Sequence, residues 1–352
     1  MKMKICFLGN FSSGGTERAT FLLANALDKL YDVYIVNTSN FKPTFELIGV
    51  KMDYLENGSI FNRIVFLYKY LKKNKIDILI SVEALSGVFS IPAVFLSDCK
   101  HIVWEHANYY QNQGSKYIQK IRQLELKIAD AYVVLTERDL NNFKNNFKIH
   151  HRCKLEYIYN IADEKKLNDY DINSKTIMSA GHIRKIKNFI IIPDIAKLVF
   201  EKHPDWCWKI YGGENGEQYP ELKQKIKNYG LEKNVLLCGR CNNMDKAYQE
   251  ASLYVMTSLQ EGLPMVLLEA KSNGLPLISF DIETGPSEII KDGINGYLVQ
   301  SYDVEIMAAK INELIENPKL RKFMSDSSSV DLQKFDKKAV VDSWINLIEE
   351  LR

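Results

Sequence analysis

Ser258-Leu-Gln-Glu261-Gly262-Leu263-Pro264-Met265-Val266-Leu267-Leu268-Glu269-Ala270 reads as the exit of a buried strand, a tight turn and the opening of a helix. The apolar run 253–256 before it supplies the strand, and the apolar-rich segment 264–273 the helix. Proline is favoured at the first helical position. That puts Gly262 and Leu263 at the entry and leaves the N–H groups of Met265 and Val266 without helical partners, so an anion belongs there. Glu269 lies five residues past Pro264, about 7.5 Å along the axis at ~1.5 Å per residue. Glu261 precedes the helix, on the other side of the same anion site. Carboxylates accept hydrogen bonds from sugar hydroxyls and backbone amides suit phosphate oxygens, so the layout matches hexose, diphosphate and ribose in sequence. The competing reading makes Glu261 a helix cap and Glu269 a surface residue. Its weakness is that Leu268 and Ala270 flank Glu269 with apolar neighbours.

The same strand–turn–helix alternation runs through the chain. Strand-like runs rich in Val, Ile and Tyr fall at 4–8, 33–37, 78–82, 101–104, 131–135 and 155–159, then at 176–180, 207–211, 235–237, 253–256, 276–280 and 296–299. Helical segments separate them at 16–30, 60–73, 116–129 and 137–147, then 188–200, 217–229, 245–251, 264–273 and 286–291, with two closing helices at 304–316 and 337–351. Strands alternating with helices give parallel sheets. Each half therefore predicts a Rossmann-like, doubly wound α/β domain, and 352 residues suit two such domains. The polar stretch 163–174 has no apolar period and reads as the linker. The expected division is 1–165, 166–335, and a final helix 336–352 that crosses back to the first domain. Open sheets bind ligands at the carboxyl ends of their strands, so two facing sheets would share a cleft.

Three further segments stand just after strands. Gly9-Asn-Phe-Ser-Ser-Gly14-Gly15-Thr16-Glu17-Arg18 lacks both the dinucleotide glycine fingerprint and the Lys-Ser/Thr of a phosphate-binding P-loop, which disfavours a nicotinamide enzyme. What remains is a glycine turn at a helix start: either an anion site carried by Gly15 and Thr16, or an ordinary turn capped by Thr16. Ser179-Ala-Gly181-His182-Ile-Arg184-Lys185-Ile-Lys187-Asn188 crowds cations on a tight turn, where they can neutralise a diphosphate in binding and again as a leaving group. His101-Ile-Val-Trp104-Glu105-His106-Ala-Asn108 ends a strand, and its histidines are either packed side chains or site groups. Cys238-Gly-Arg-Cys241 has no second pair of soft ligands, so neither a zinc site nor a redox pair is expected.

Bulk composition narrows the class. With 46% hydrophobic and 26% charged residues, both halves should fold. No run reaches the ~20 apolar residues of a membrane span, since 88–96 is interrupted by Pro92. The net charge of +2 conceals an imbalance: residues 1–160 hold 21 Lys and Arg against 15 Asp and Glu, a surplus of six, and the remainder a deficit of four. Basic helical stretches such as Arg63, Lys69, Lys72, Lys73 and Lys75 among aromatic side chains suit either solvated faces or an anionic membrane surface. They are too scattered for nucleic-acid binding. No Asp-x-Asp stands at a strand end to hold a divalent ion, so no metal is expected.

In order, these segments resemble glycosyltransferase family four, most specifically from Thr176 to Val299. The Gly-Arg-Leu-x3-Lys-Asn element appears as Gly181-His182-Ile183-x3-Lys187-Asn188, and Glu-x7-Glu as Glu261 to Glu269. Asn273-Gly-Leu-Pro, Thr284-Gly-Pro-Ser-Glu288 and Asp292-Gly-Ile-Asn-Gly296 follow in family order. The first half matches more loosely, through Gly14-Gly15-Thr16-Glu17-Arg18 and Asn160. The resemblance implies the two-lobed GT-B fold and retaining, metal-independent, cofactor-free transfer of a hexose or N-acetylhexosamine from a UDP-sugar. The acceptor it implies is a hydroxyl of a lipid-linked or growing oligosaccharide in bacterial surface-polysaccharide synthesis, at the cytoplasmic side, with contact to the inner face of the membrane as a further expectation. Carried over by position, Glu261 lies near the donor hexose, Glu269 takes the ribose hydroxyls, Lys187 and the amides after Gly262 bind the diphosphate, Gly239-Arg240 lines the uracil pocket, and His106 contacts the transferred sugar. His182 replaces the family's arginine and is a weaker phosphate ligand, a role Arg184 can take over. Two alternatives stay open: a non-catalytic glycan- or partner-binding protein, and another nucleotide-sugar enzyme such as an epimerase or synthase.

Overall fold

The computed structural model describes residues 2–12, 14–55, 58–111, 114–162, 170–300 and 302–352. The chain forms two compact units, Met1–Ile161 with Lys337–Arg352, and Ala162–Asp336. Residues 163–169, most of the linker expected from sequence, lie outside the described residues. Tyr170 and Ile172 are already fastened to the second unit, through the carbonyl of Ser252 and the guanidinium of Arg321.

In the first unit the elements are β1 (Lys4–Gly9), α1 (Gly15–Leu27), β2 (Asp32–Asn37), β3 (Lys51–Tyr54), α2 (Ile60–Asn74), β4 (Ile78–Val82), α3 (Gly87–Phe95), β5 (Lys100–Trp104), α4 (Lys116–Ile128), β6 (Ala131–Val134), α5 (Glu137–Asn146) and β7 (Lys154–Tyr157). Among the described residues they build one parallel sheet in the order β3-β2-β1-β4-β5-β6-β7. The inner strands are apolar on both faces, as helices packed on either side require: Ile5, Cys6, Phe7 and Leu8 of β1 and Ile78 to Val82 of β4 are all buried. Helices start where the sequence offers caps, Ser59 accepting from Asn62 N–H, Ser115 from Ile118 N–H and Thr136 from Asp139 N–H.

The second unit comprises β8 (Thr176–Ala180), α6 (Ile192–Phe200), β9 (Cys207–Tyr211), α7 (Tyr219–Asn228), β10 (Val235–Gly239), α8 (Met244–Gln249), β11 (Leu253–Met256), α9 (Met265–Ser272), β12 (Leu277–Asp281), α10 (Pro286–Ile289), β13 (Gly296–Gln300), α11 (Val304–Glu316) and α12 (Pro318–Asp326). Its sheet, again parallel, runs β10-β9-β8-β11-β12-β13.

Sequence periodicity overlooked three elements. The edge strand β3, Lys-Met-Asp-Tyr, is half-exposed to exposed and has no apolar run to reveal it. Helix α3 contains Pro92 and lies against α2 and α4. Helix α12 does carry start signals: Asn317 caps Leu320 N–H at 3.1 Å and Pro318 sits at its first position.

The last helix, α13 (Lys337–Glu350), belongs to the first unit and packs on α1. Trp344 is fully buried and meets Trp104 edge-on at 5.0 Å, while Tyr31 O–H donates to Glu349 Oε1 at 3.1 Å. Deleting a buried aromatic of this size removes its transfer free energy and leaves a cavity. Trp344→Ala should therefore cost the first unit about 3–5 kcal/mol in urea unfolding; a loss below ~1 kcal/mol would mean that α13 is peripheral to that core.

Candidate functional site

In the second unit, the loop leaving β11 carries the acids and also fixes the cations. Leu259 N–H donates to the carbonyl of Ile186 at 2.8 Å, and Thr257 Oγ1 to that of Lys187 at 3.0 Å, which fastens the short 3-10 turn Lys185–Lys187 beneath it. Lys187 Nζ then reaches Glu261 Oε1 at 2.5 Å, with both side chains mostly buried. The Glu261 turn is braced from the other side, where Thr284 Oγ1 donates to the carbonyl of Glu261 at 2.5 Å. Gly285, at φ 102°, lies so close that a Cβ would come within 2.7 Å of Pro264 and 2.9 Å of the Gly262 carbonyl.

Helix α9 begins one residue later than its sequence suggests. Pro264 is the N-cap, in extended backbone at ψ 106°, and Met265 is the first helical residue. The later start leaves the same two amides at the helix entry. No side chain caps the helix, Leu267 N–H already turns back to the carbonyl of Pro264 at 3.0 Å, and the Met265 and Val266 amides occupy the first turn, where no helical carbonyl can reach them. Glu261 therefore pairs with Lys187 and does not cap the helix. Glu269 is 7% exposed and accepts from Tyr248 O–H at 2.8 Å, which rules out the surface reading. The hydroxyl of Tyr254, fixed to the backbone of Ala180, lies in the field of both glutamates.

The remaining cations surround His182. Burial and then the charges of Arg184, Arg240 and Lys187 hold its imidazole below its ordinary pKa, so at neutral pH it adds no charge. Arg184 and Arg240 are exposed. Gly239 ends β10 at φ 68° and its carbonyl accepts from Gly212 N–H at 2.9 Å. Sequence reading missed this second glycine turn, Tyr211-Gly-Gly-Glu-Asn-Gly216. A Cβ on Gly212 would sit 2.4 Å from the carbonyl of Gly181, and one on Gly216 2.4 Å from that of Ile183. The exits of β8, β9 and β10 thus pack backbone against backbone, and the glycine density of the segment was the signal.

The first unit holds Gly15, Thr16 and His106. Gly14, at φ 104°, is the N-cap of α1 without a side-chain bond, and Thr16 does not cap; its Oγ1 donates to Glu83 Oε1 at 3.1 Å. Ser13 of this turn lies outside the described residues. Glu83 also escaped sequence reading. It leaves β4 at φ 64° and ψ 143°, a conformation that costs a residue other than glycine about 1–3 kcal/mol. Burial, and secondarily the nearby carboxylate of Glu105, raise its pKa to about 7.

The His106 ring lies tilted against that of Trp104, centroids 4.4 Å apart, and among the described residues its buried Nε2 has no hydrogen-bond partner. Burial pulls its pKa to about 3, so it is a neutral imidazole that can donate or accept one hydrogen bond. The loop that carries it is fixed by a buried ion pair, Arg122 Nε to Glu105 Oε2 at 3.0 Å, with the same guanidinium donating to the carbonyls of Asn108, Tyr109 and Gln111. His101, by contrast, is a packed residue bonded to Ser81 at 2.8 Å. All six cysteines are free, and among the described residues no group of three His, Cys, Asp or Glu converges on a metal position. No helix among them is long and apolar enough to cross a membrane.

Residues 13–166 match the profile described as Glycosyltransferase Family 4, and residues 161–329 the one described as Glycosyl transferases group 1. An uncharacterized glycosyltransferase of Haemophilus influenzae is 30% identical over 346 residues, covering 96% of this chain and 97% of its own length. The "GalNAc-alpha-(1->4)-GalNAc-alpha-(1->3)-diNAcBac-PP-undecaprenol alpha-1,4-N-acetyl-D-galactosaminyltransferase" of Campylobacter jejuni is 27% identical, covering 99% of each chain. Among solved structures, TarM of Staphylococcus aureus, crystallised with UDP, superposes with a TM-score of 0.85 at 17% identity and covers 99% of each chain.

Proposed function

We propose, since this chain belongs to glycosyltransferase family four, that it moves a hexose or N-acetylhexosamine from a UDP-sugar to a hydroxyl of a lipid-linked or growing surface glycan, with retention and without a metal or other cofactor. The chain is a sugar-transferring enzyme with the GT-B fold. The observation that carries it is the arrangement around α9: Lys187 paired with Glu261 at 2.5 Å, first-turn amides on Met265 and Val266, and a buried Glu269 held by Tyr248.

In this reading Glu269 accepts from the ribose hydroxyls and Glu261 from the donor hexose. Lys187, the α9 amides and Arg184 take the diphosphate, and Gly239-Arg240 the uracil. Gly15 and Thr16 supply a further contact to the donor, and His106 one to the transferred sugar. As the bond from the sugar to UDP breaks, negative charge gathers on the departing diphosphate, and fixed positive groups already aimed at it lower the barrier because no reorganisation is needed at that moment. His182, neutral, contributes hydrogen bonding alone.

UDP as the nucleotide is supported by the ligand of the Staphylococcus aureus structure, and a diphospho-undecaprenol acceptor by the name of the Campylobacter enzyme. Contact with an anionic membrane is supported by the basic surplus of the first half and by Ile60 and Phe61, exposed at the start of α2 on the helix that bears Arg63, Lys69, Lys72 and Lys73. The test is UDP release from UDP-sugars with and without glycoside acceptors, repeated in EDTA. Turnover should be unchanged by the chelator, because the cations named above replace a divalent ion. Loss of turnover in EDTA, restored by magnesium or manganese, would remove the metal-independent part of the reading.

A further inference from the structure

The sheet of the first unit reverses its strand order between β1 and β4. In open α/β sheets the crevice outside the carboxyl ends at such a point is where ligands bind. The hydrogen bond from Thr16 to Glu83 spans that crevice, for Thr16 opens α1 after β1 and Glu83 leaves β4. The donor contacts proposed above make no use of Glu83. Its backbone lies in a region that only glycine enters without strain, and such conformations persist where the surroundings enforce them and cluster at functional sites. The enforcing bonds are main-chain: Glu83 N–H donates to the carbonyl of Trp104 at 2.9 Å, and its own carbonyl accepts from Ser86 N–H at 3.0 Å. The side chain is half-buried, close enough to the surface for a ligand to reach. Thr16 engages Oε1, which makes Oε2 the atom offered to that ligand.

We infer that Glu83 accepts the hydrogen bond of the acceptor hydroxyl that receives the sugar, an inference that rests on the sugar-transfer reading above. The ligand class is a polyol, because a carboxylate beside a threonine hydroxyl, with no cation bonded to it among the described residues, recognises O–H donors and not anions. The charged groups on the surrounding elements are Glu105 with its partner Arg122, Glu125 on α4, and Glu17 on α1, whose Oε1 is engaged by the N–H groups of Thr44 and Phe45. With its pKa raised to about 7, Glu83 passes from carboxylic acid to carboxylate as pH rises through neutrality. Only the carboxylate accepts through both oxygens, so acceptor affinity should strengthen between about pH 6 and about pH 8.

The test uses the full chain, with UDP-glucose and UDP-N-acetylglucosamine as donors, and methyl glycosides of glucose, galactose and N-acetylglucosamine, together with water, as acceptors. UDP release is read across that pH range, and UDP binding by calorimetry. Glu83→Gln keeps the shape and the bond from Thr16. It should bind UDP as the wild type does, lose transfer about 100-fold, and lose the pH dependence of acceptor KM. Glu83→Gly relieves the strained backbone and should raise the melting temperature while losing transfer to a similar extent, which separates function from folding. Wild-type transfer and an unchanged pH profile in Glu83→Gln would overturn the inference and leave the donor reading intact. A wild-type protein that binds no UDP, or that turns over no donor with any acceptor including water, would overturn the reading on which it rests, and the inference with it.

Discussion

Glu269→Ala should weaken UDP binding about 100-fold, close to 3 kcal/mol at 1.4 kcal/mol per decade. The size follows from the environment of the carboxylate. At 7% exposure, water cannot replace the hydrogen bonds it would make to the ribose hydroxyls, and hydrogen bonds to a charged group are worth about 1.5–3 kcal/mol each. The alanine also removes the acceptor of the Tyr248 hydroxyl, so part of the loss could come from a disturbed wall. Glu269→Gln separates the two effects. It preserves volume and an acceptor oxygen for Tyr248, and should lose about tenfold, since one of two charged acceptors becomes a neutral amide. Calorimetric titration of UDP into each variant reads the result. Affinity unchanged within about twofold in Glu269→Ala would place the nucleotide elsewhere.

Lys187→Ala should lower kcat/KM about 1000-fold, near 4 kcal/mol, with the larger part in kcat. In the free protein the ammonium stands 2.5 Å from Glu261 and is mostly shielded from solvent, so its field is only weakly screened. When the diphosphate departs, that charge stabilises the transition state more than the bound donor, and such a difference appears in kcat. Lys187→Arg should recover only part of the rate, because the planar guanidinium is longer and cannot occupy the point position of the ammonium against both Glu261 and a phosphate oxygen. A drop confined to KM would mean that Lys187 only anchors the ground state.

The architecture was legible because parallel strands buried on both faces are continuous apolar runs: Ile78 to Val82 and Leu253 to Met256 appear in the structure with the bounds read from sequence. The turn from Glu261 to Glu269 was legible because glycine, proline and two acids stand at fixed offsets from a strand end. What escaped depends on contacts far apart in sequence. Nothing in Ser81-Val-Glu83-Ala-Leu85 signals a positive φ, since that conformation is imposed by Trp104 and Ser86 backbone bonds. Tyr248 and Tyr254 read as ordinary core aromatics, and their hydroxyls acquire meaning only once α8 and β11 bring them to Glu269 and Ala180. Thr284 and Gly285 are legible as part of a family motif, but their bracing of the Glu261 turn is a tertiary fact. The strand β3 was lost for the opposite reason: as an exposed edge it buries too little to leave a pattern.

The proposed chemistry requires the second unit to grip a nucleoside diphosphate through α9 and Lys187. A crystal structure of the protein soaked with UDP tests it most directly. The ribose hydroxyls are expected on Glu269 and the diphosphate between Lys187 and the amides of Met265 and Val266. UDP bound away from these groups, or a fully occupied UDP that leaves the Lys187–Glu261 turn untouched, would contradict it.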